Sequence, residues 1–191
     1  MDKPDGPAFT LRNPLLRDGA AICWLVKTSQ PLERNSCYAY LLLCQHFSDT
    51  CVVAEQGGEI VGFLSAYRPP ASPEVIFVWQ VAVRQEVRGR GIATAMLTEL
   101  LSRKACWEAT ALETTISPSN RASQALFRSL ARQLETRCEE IPVFAAALFG
   151  GEAHEEEILF RIGLFRPMPE PATWKHHPTL QEIASGQTAD L

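Results

Sequence analysis

No run of apolar residues in the chain approaches the roughly 18 that a membrane-spanning helix needs, so no segment is expected to enter a membrane. The opening residues, Met1-Asp2-Lys3-Pro4-Asp5-Gly6, lack the apolar core of a signal peptide. Positive charge never gathers: Lys and Arg number 18 against 22 Asp and Glu, the formal charge is −4, and basic residues form no long run. A nucleic acid is therefore not an expected partner. The six cysteines (Cys23, Cys37, Cys44, Cys51, Cys106, Cys138) show no paired spacing and sit mostly in apolar segments. They are expected as reduced core thiols of a cytoplasmic protein. No metal is expected either, because His154-Glu155 is not followed by the second His that a zinc-binding helix requires. Internal repeats are also absent. What the chain does have is 191 residues, 46% of them hydrophobic, enough for one core without staples.

Periodicity and turn residues divide the chain into a flexible lead-in (1–8), one domain (9–165) and a Pro-rich tail (166–191) that includes His176-His177. Phe9 to Arg12 reads as a short strand. Asp18 is placed to cap a first helix through Trp24 and Leu25, and Asn35 or Ser36 a second through Tyr38 and Phe47. Strands Cys51–Ala54 and Ile60–Leu64 are joined by Gly57-Gly58, a hairpin signal. Val75 to Val83 is the most apolar stretch and reads as a central strand buried on both faces. A helix from Ile92 to Lys104, a strand from Ala111 to Ile116 and a helix from Ser119 to Leu134 follow. Ile141 to Phe149 reads as irregular or half helical, and Ile158 to Leu164 as a final strand. The fold class is α/β, with helices on both faces of a mixed sheet.

The segment from Val83 to Met96 carries the clearest chemistry. It passes from an apolar strand through Arg88-Gly89-Arg90-Gly91 directly into a helix. Gly89 and Gly91 lack Cβ, so the backbone can come close to a ligand. The helix starting at Ile92 points its free amides and positive dipole end at the same place. Such a loop cradles a pyrophosphate, and Arg88 and Arg90 add mobile positive charge. The Walker pattern requires Gly-Lys followed by Ser or Thr, which is missing, and the dinucleotide fingerprint requires a third glycine where Thr94 stands. An ordinary strand–turn–helix connection with spare arginines would use the same residues.

What remains, Arg88-x-x-Gly91-x-Ala93, resembles the acetyl-coenzyme A signature of the GNAT N-acetyltransferase superfamily, Gln/Arg-x-x-Gly-x-Gly/Ala. The order of elements is similar as well. This resemblance implies the GNAT fold, a mixed and mostly antiparallel sheet flanked by helices. It implies that the amides of Arg88, Gly89, Arg90, Gly91, Ile92, Ala93 and Thr94 hold the pyrophosphate of acetyl-coenzyme A. The main-chain donors of Val81, Ala82 and Val83, where the strand splays from its neighbour, would hold the pantetheine arm and polarise the thioester carbonyl. A buried oxyanion donor is worth roughly 3 kcal/mol of barrier. Asn120-Arg121-Ala122-Ser123-Gln124-Ala125-Leu126-Phe127 resembles the superfamily's Asn-x-x-Ala-x-x-Leu-Tyr segment, with Ser123 for Ala and Phe127 for Tyr. By resemblance Asn120 contacts the coenzyme; capping a helix is its other reading. The superfamily's Tyr often protonates the departing thiolate, and Phe127 has no proton to give. Another group or water does so, or the thiolate leaves as such, which a thiol pKa near 8.5 tolerates.

Four further segments are similar to one branch of that superfamily, the L-2,4-diaminobutyrate acetyltransferases that make the ectoine precursor: Leu32 to Phe47, Gly62 to Pro70, Phe77 to Val83 and Gly151 to Gly163. The resemblance spans about residues 9–165. It implies acetyl transfer from acetyl-coenzyme A, as co-substrate, to the 4-amino group of diaminobutyrate, in a homodimer. Glu33 stands where that family usually has Asp, and Cys37 where it has Pro. The implied substrate contacts are Glu33, Trp79, His154 and Glu157, joined by Asn35, Ser36, Tyr38 and Tyr40 as hydroxyl and amide groups. An ammonium of pKa near 10 is only about 0.1% neutral at pH 7, so a base is needed, and Glu157 or His154, through water or directly, is the candidate. No residue is placed as a nucleophile, so direct attack in a ternary complex is expected. Other readings stay open. Trp79, Tyr38 and Tyr40 also suit packing, Glu155-Glu156-Glu157 suits a solvated turn, and Arg68 suits a salt bridge or a substrate carboxylate. The acceptor could instead be another small amine or a protein N-terminus, or the chain a non-catalytic acetyl-coenzyme A-binding module.

Overall fold

A computed structural model of the chain describes residues 9–29, 32–33, 35–150 and 154–163. The expected lead-in and the Pro-rich tail with His176-His177 lie outside the described residues. In chain order the elements are β1 (Thr10–Arg12), α1 (Gly19–Lys27), α2 (Cys37–His46), β2 (Val52–Gln56), β3 (Glu59–Tyr67), β4 (Val75–Val83), α3 (Ile92–Ser102), β5 (Ala111–Ile116), α4 (Arg121–Gln133), β6 (Arg137–Phe144) and β7 (Glu157–Gly163). The strands form one sheet in the order β1-β2-β3-β4-β5-β7-β6. Every pairing is antiparallel except β4 with β5. This is the mixed, mostly antiparallel sheet that the resemblance implies.

The alternation along each strand sorts side chains into two cores. Val52, Ala54, Leu64 and Val78 face Met96, Leu97 and Leu100 of α3 and Phe127 and Leu130 of α4. On the other face Val53, Phe63 and Ala82 meet Ile22, Leu25 and Val26 of α1 and Tyr40 and Leu43 of α2. Each such fully buried aliphatic or aromatic side chain contributes about 2 kcal/mol. Gly57 and Gly58, at φ of +61° and +79°, turn the β2–β3 hairpin where their pairing predicts it.

Several expectations change. Ile141 to Phe144 belongs to strand β6, and only Ala146–Phe149 is a short 3-10 turn. β6 is an edge strand, exposed along nearly its whole length and interrupted by Pro142, so burial writes no alternation into it. Asp18 precedes α1 without capping it; its carboxylate accepts from the Leu15 amide (2.7 Å) and pairs with Arg12 (2.5 Å). Arg68 makes a salt bridge, to Glu108 at 3.1 Å. Two of the six cysteines are not reduced, because Cys23 and Cys37 form a disulfide. Antiparallel packing of α1 on α2 brings them together, and the same packing places a Cβ built at Gly19 only 2.6 Å from Leu41. Spacing along the chain cannot reveal a pairing made by two packed helices.

Candidate active site

Strand β4 is central, but it is not buried on both faces: Trp79 is 39% exposed, and Phe77, Val81 and Val83 are half-buried. The cause is a split in the sheet. β4 pairs with β5 only from Val75 to Phe77, opposite Ala111 to Glu113. Past that point β5 pairs with β7 alone, through Thr114 to Ile116. On its other edge β4 carries a bulge against β3, since Ser65 faces Gln80 while Ala66 faces Val78, leaving Trp79 as the extra residue. A bulge bends its strand, and here the strand bends away from β5.

The open edge of β4 carries donors that no strand pairs among the described residues. The Arg84 amide donates to the Val61 carbonyl of β3 at 2.8 Å. Main-chain groups alternate between the two edges of a strand, so Ala82 also faces β3, whereas Val81 and Val83 turn theirs into the split. Of the three residues expected to offer amides there, Ala82 therefore does not. Arg88 donates from Nε to the Val83 carbonyl at 2.9 Å, tying the start of the Gly loop to this edge.

In that loop Gly89 and Gly91 both have φ of +77°, and nothing lies within 4 Å of a Cβ built at either. Glycine is needed there for the left-handed backbone rather than for lack of space. The Gly91 carbonyl accepts from the Ala95 amide at 2.9 Å, so α3 begins there. The amides of Ile92, Ala93 and Thr94 then precede the first intrahelical donor. The Ile92 side chain is buried in the core, and Arg90 is exposed. Asn120 caps α4, its Oδ1 accepting from the Ser123 amide at 3.1 Å, and Phe127 is buried.

The other end of the split is lined from two sides. Glu33 comes from the connection between α1 and α2, and His154 from the approach to β7; Glu33 Oε1 and His154 Nε2 stand 3.3 Å apart. The His154 ring stacks on Phe149, with centroids 3.7 Å apart. Its Nδ1 lies 2.6 Å from the Glu155 carbonyl, which can only accept, so Nδ1 carries a proton. That carbonyl above all, helped by the carboxylates of Glu33 and Glu157, holds His154 above its ordinary value of 6.5 against the opposing effect of burial. Glu157 accepts from the Ser117 hydroxyl at 2.9 Å, and Glu155 from the Ser119 amide at 2.9 Å.

The remaining expected residues are placed differently. Ser36 caps α2 by accepting from the Ala39 amide at 3.3 Å. Asn35 is half-buried, and its Nδ2 has no hydrogen-bond partner among the described residues. Tyr38 is exposed. Tyr40 is fully buried behind the site, its hydroxyl donating to Gln80 at 3.2 Å. Gln80 itself was missed from sequence, although a lone polar side chain in Val75-Ile76-Phe77-Val78-Trp79-Gln80-Val81-Ala82-Val83 was a visible signal. Burial pushes the thiols of Cys44 up to about 11 and of Cys51 and Cys106 up to about 12. None of these is a nucleophile at neutral pH. Among the described residues no three His, Cys, Asp or Glu side chains gather as a metal site would require.

The acetyltransferase (GNAT) family model matches residues 19–131. The chain is 44% identical over 160 residues to the L-2,4-diaminobutyric acid acetyltransferase of Shouchella clausii (strain KSM-K16), covering 84% of this chain and 89% of that one. To the enzyme of the same description from Bordetella parapertussis it is 49% identical over 162 residues, covering 84% and 87%. Among solved structures it is similar to the diaminobutyrate acetyltransferase EctA from Paenibacillus lautus, in complex with L-2,4-diaminobutyric acid and coenzyme A. The TM-score is 0.82 at 44% identity, covering 86% of this chain and 99% of that one.

Proposed function

Because the chain belongs to the acetyltransferase (GNAT) family and, within it, to the L-2,4-diaminobutyric acid acetyltransferases, we propose that it moves an acetyl group from acetyl-coenzyme A to the 4-amino group of L-2,4-diaminobutyrate. The observation that carries this reading is the split between β4 and β5. It has free main-chain donors and a glycine loop at one end, and an acidic, His-bearing wall at the other.

The donor half follows from main-chain chemistry. Amides at Gly89 to Thr94 hold the pyrophosphate, that of Arg88 being already donated to the Gln85 carbonyl at 3.3 Å, and those of Val81 and Val83 take the pantetheine arm and the developing oxyanion. Asn120, spent on its cap through Oδ1, turns at most its amide nitrogen to the arm. The acceptor carries two ammoniums and one carboxylate. Glu33 and Glu157 attract the cations, and Trp79 walls the pocket with an aromatic face.

An ammonium entering between Glu33 and His154 displaces their mutual contact and donates to the carboxylate and to Nε2. Neutral His154, with its proton on Nδ1, has its lone pair at Nε2 and takes the proton there, with Glu157 stabilising the imidazolium. The free amine attacks the thioester carbonyl carbon, the C–S bond breaks, and the second proton of the attacking nitrogen passes, directly or through water, to the departing thiolate. Phe127 offers it no proton.

Two further points belong to this reading. A homodimer is supported by the apolar exposure of the edge strand β6. A cytoplasmic setting is supported by the acyl donor, and the Cys23–Cys37 disulfide runs against the usual redox state there. Among the described residues no helix is long and apolar enough to cross a membrane.

The test is thiol release from acetyl-coenzyme A with a panel of amines. Diaminobutyrate is expected to exceed lysine and spermidine in kcat/KM; the reverse order would assign another acceptor, and binding without thiol release would remove the activity. Glu157→Gln is expected to lower kcat at least about tenfold, or about 1.4 kcal/mol. Unchanged turnover would take Glu157 out of the chemistry.

A further inference from the structure

Gln80 is 4% exposed and sits directly after the Trp79 bulge of β4. Its side chain lies on the face that carries α1 and α2, as the contact with Tyr40 shows. Both ends of its amide are in use. Nε2 donates to the main-chain carbonyl of Glu33 at 3.0 Å, and Oε1 accepts from the Tyr40 hydroxyl at 3.2 Å. The Glu33 carbonyl can only accept, which fixes the nitrogen end of the amide toward it and leaves the oxygen for Tyr40. Tyr40 is fully buried on α2, with its ring edge-on to Phe63. One amide thus links a rigid helix, the bulge of the split strand and the main chain of Glu33.

Glu33 needs such a tether. Its side chain is 67% exposed, so packing does not set where the carboxylate stands. Nearby, the Leu32 amide donates to the Ser29 carbonyl at 3.1 Å, which closes a local turn but does not reach the sheet. Only the Gln80 bond connects this main chain to the strand that forms the split, among the described residues. The 3.3 Å approach of Glu33 to His154 is measured across that split. An error in the main chain at Glu33 therefore passes directly into the distance between the two groups.

We propose that Gln80 is a positioning residue of the acceptor site: it fixes the Glu33 main chain to the bulge of β4 and thereby sets where the Glu33 carboxylate meets the ammonium of the diamino acid. The proposal rests on the reading of Glu33 as an ammonium contact. The side chain has to be glutamine because two unlike partners must be satisfied at once. Glutamate presents only acceptors to the Glu33 carbonyl when ionised, asparagine is one methylene short, and methionine bonds neither partner.

Replacing Gln80 alone would leave the Tyr40 hydroxyl without an acceptor in a dry core and would weaken the fold for that reason. The double variant Gln80→Met with Tyr40→Phe removes both polar partners together, so a change in the site is read apart from a change in stability. Its melting temperature is expected to stay close to that of the parent. KM for diaminobutyrate is expected to rise at least about tenfold while KM for acetyl-coenzyme A moves less than about twofold.

A second readout needs no substrate: by NMR, amide hydrogen exchange at Leu32 and Asn35 speeds up in the double variant, and that of α3 and α4 does not. Unchanged exchange at Leu32 and Asn35 overturns the tether, and faster exchange with an unchanged KM for the amine overturns its role in binding. If the parent chain does not acetylate diaminobutyrate, the functional reading fails by itself and the exchange result still decides whether Gln80 holds this segment.

Discussion

His154 is the residue whose charge state links the site to pH. The groups that face it are the Glu155 carbonyl, the Glu33 and Glu157 carboxylates and the Phe149 ring. Its pKa in the folded chain is raised, so the stability it contributes is fully present below the unfolded value near 6.5 and is lost as pH rises through the folded value. With His154 as the proposed base, activity is expected to run the other way. The imidazolium occupies Glu33 and cannot accept a proton, so kcat/KM for the amine rises with pH along an acid limb whose apparent pKa lies above 6.5. Glu33→Gln removes one of the raising charges and is expected to move that limb to lower pH; a profile measured on both forms checks this, and an unmoved limb would show that Glu33 does not act on His154. Glu33, His154 and Glu157 were singled out from sequence because charged residues in a recognised segment stand out, and the structure brings Glu33 within 3.3 Å of His154. Gln80 was not singled out, and Tyr40 stayed open between substrate contact and packing until its burial decided for packing, since a hydrogen bond between two elements leaves no pattern in either one.

At the scale of elements, the α1–α2 pair is held by covalent bond as well as by packing. The Cys23–Cys37 disulfide closes a sequence separation of 14, for which the chain-entropy model gives about 3 kcal/mol. In a chain of this size that corresponds to a fall in Tm of about 6–12 °C on reduction. Thermal melts with and without a dithiol reductant are expected to differ by this amount, whereas Cys37→Ser should melt low in both conditions. A parent chain indifferent to reductant would mean that the two thiols are not joined in solution. The same pair of helices shows what periodicity reveals and what it omits. Apolar spacing located both helices within a few residues and placed Ser36 as one of two possible caps. It gave Asp18 a capping role on α1, but the carboxylate is taken up instead by the Arg12 guanidinium and the Leu15 amide. Strand β6 escaped for a related reason: its side chains are exposed, and its ladder to β7 uses main-chain groups that any residue has.

At the scale of the whole molecule, the edge formed by β6 is an exposed apolar region that a single chain leaves unexplained. β6 ends the sheet, so one of its edges has no strand beside it among the described residues. Ile141, Val143 and Phe144 on it, and Leu148 just after it, are between 38% and 70% exposed. An apolar edge invites pairing with another chain unless something blocks it; here the charges of Arg137, Glu139 and Glu140 lie in the first half of the strand, and only Pro142 and the irregularity beside it interrupt the apolar second half. Closed two-fold pairing satisfies such an edge once and then leaves none free. Light scattering of the parent chain is therefore expected to give twice the 21.2 kDa chain mass. The variant Ile141→Lys with Val143→Lys, which alters only exposed side chains, is expected to give the single-chain mass with an unchanged far-UV spectrum. The edge also reaches the site, because the chain leaves β6 through the turn Ala146–Phe149, and Phe149 carries the His154 ring. Separation of the subunits should then lower kcat more than it raises KM for acetyl-coenzyme A, whose loop lies at the other end of the split. A parent chain that scatters as a monomer, or a monomeric variant with full kcat, would assign the apolar surface of β6 to some other contact.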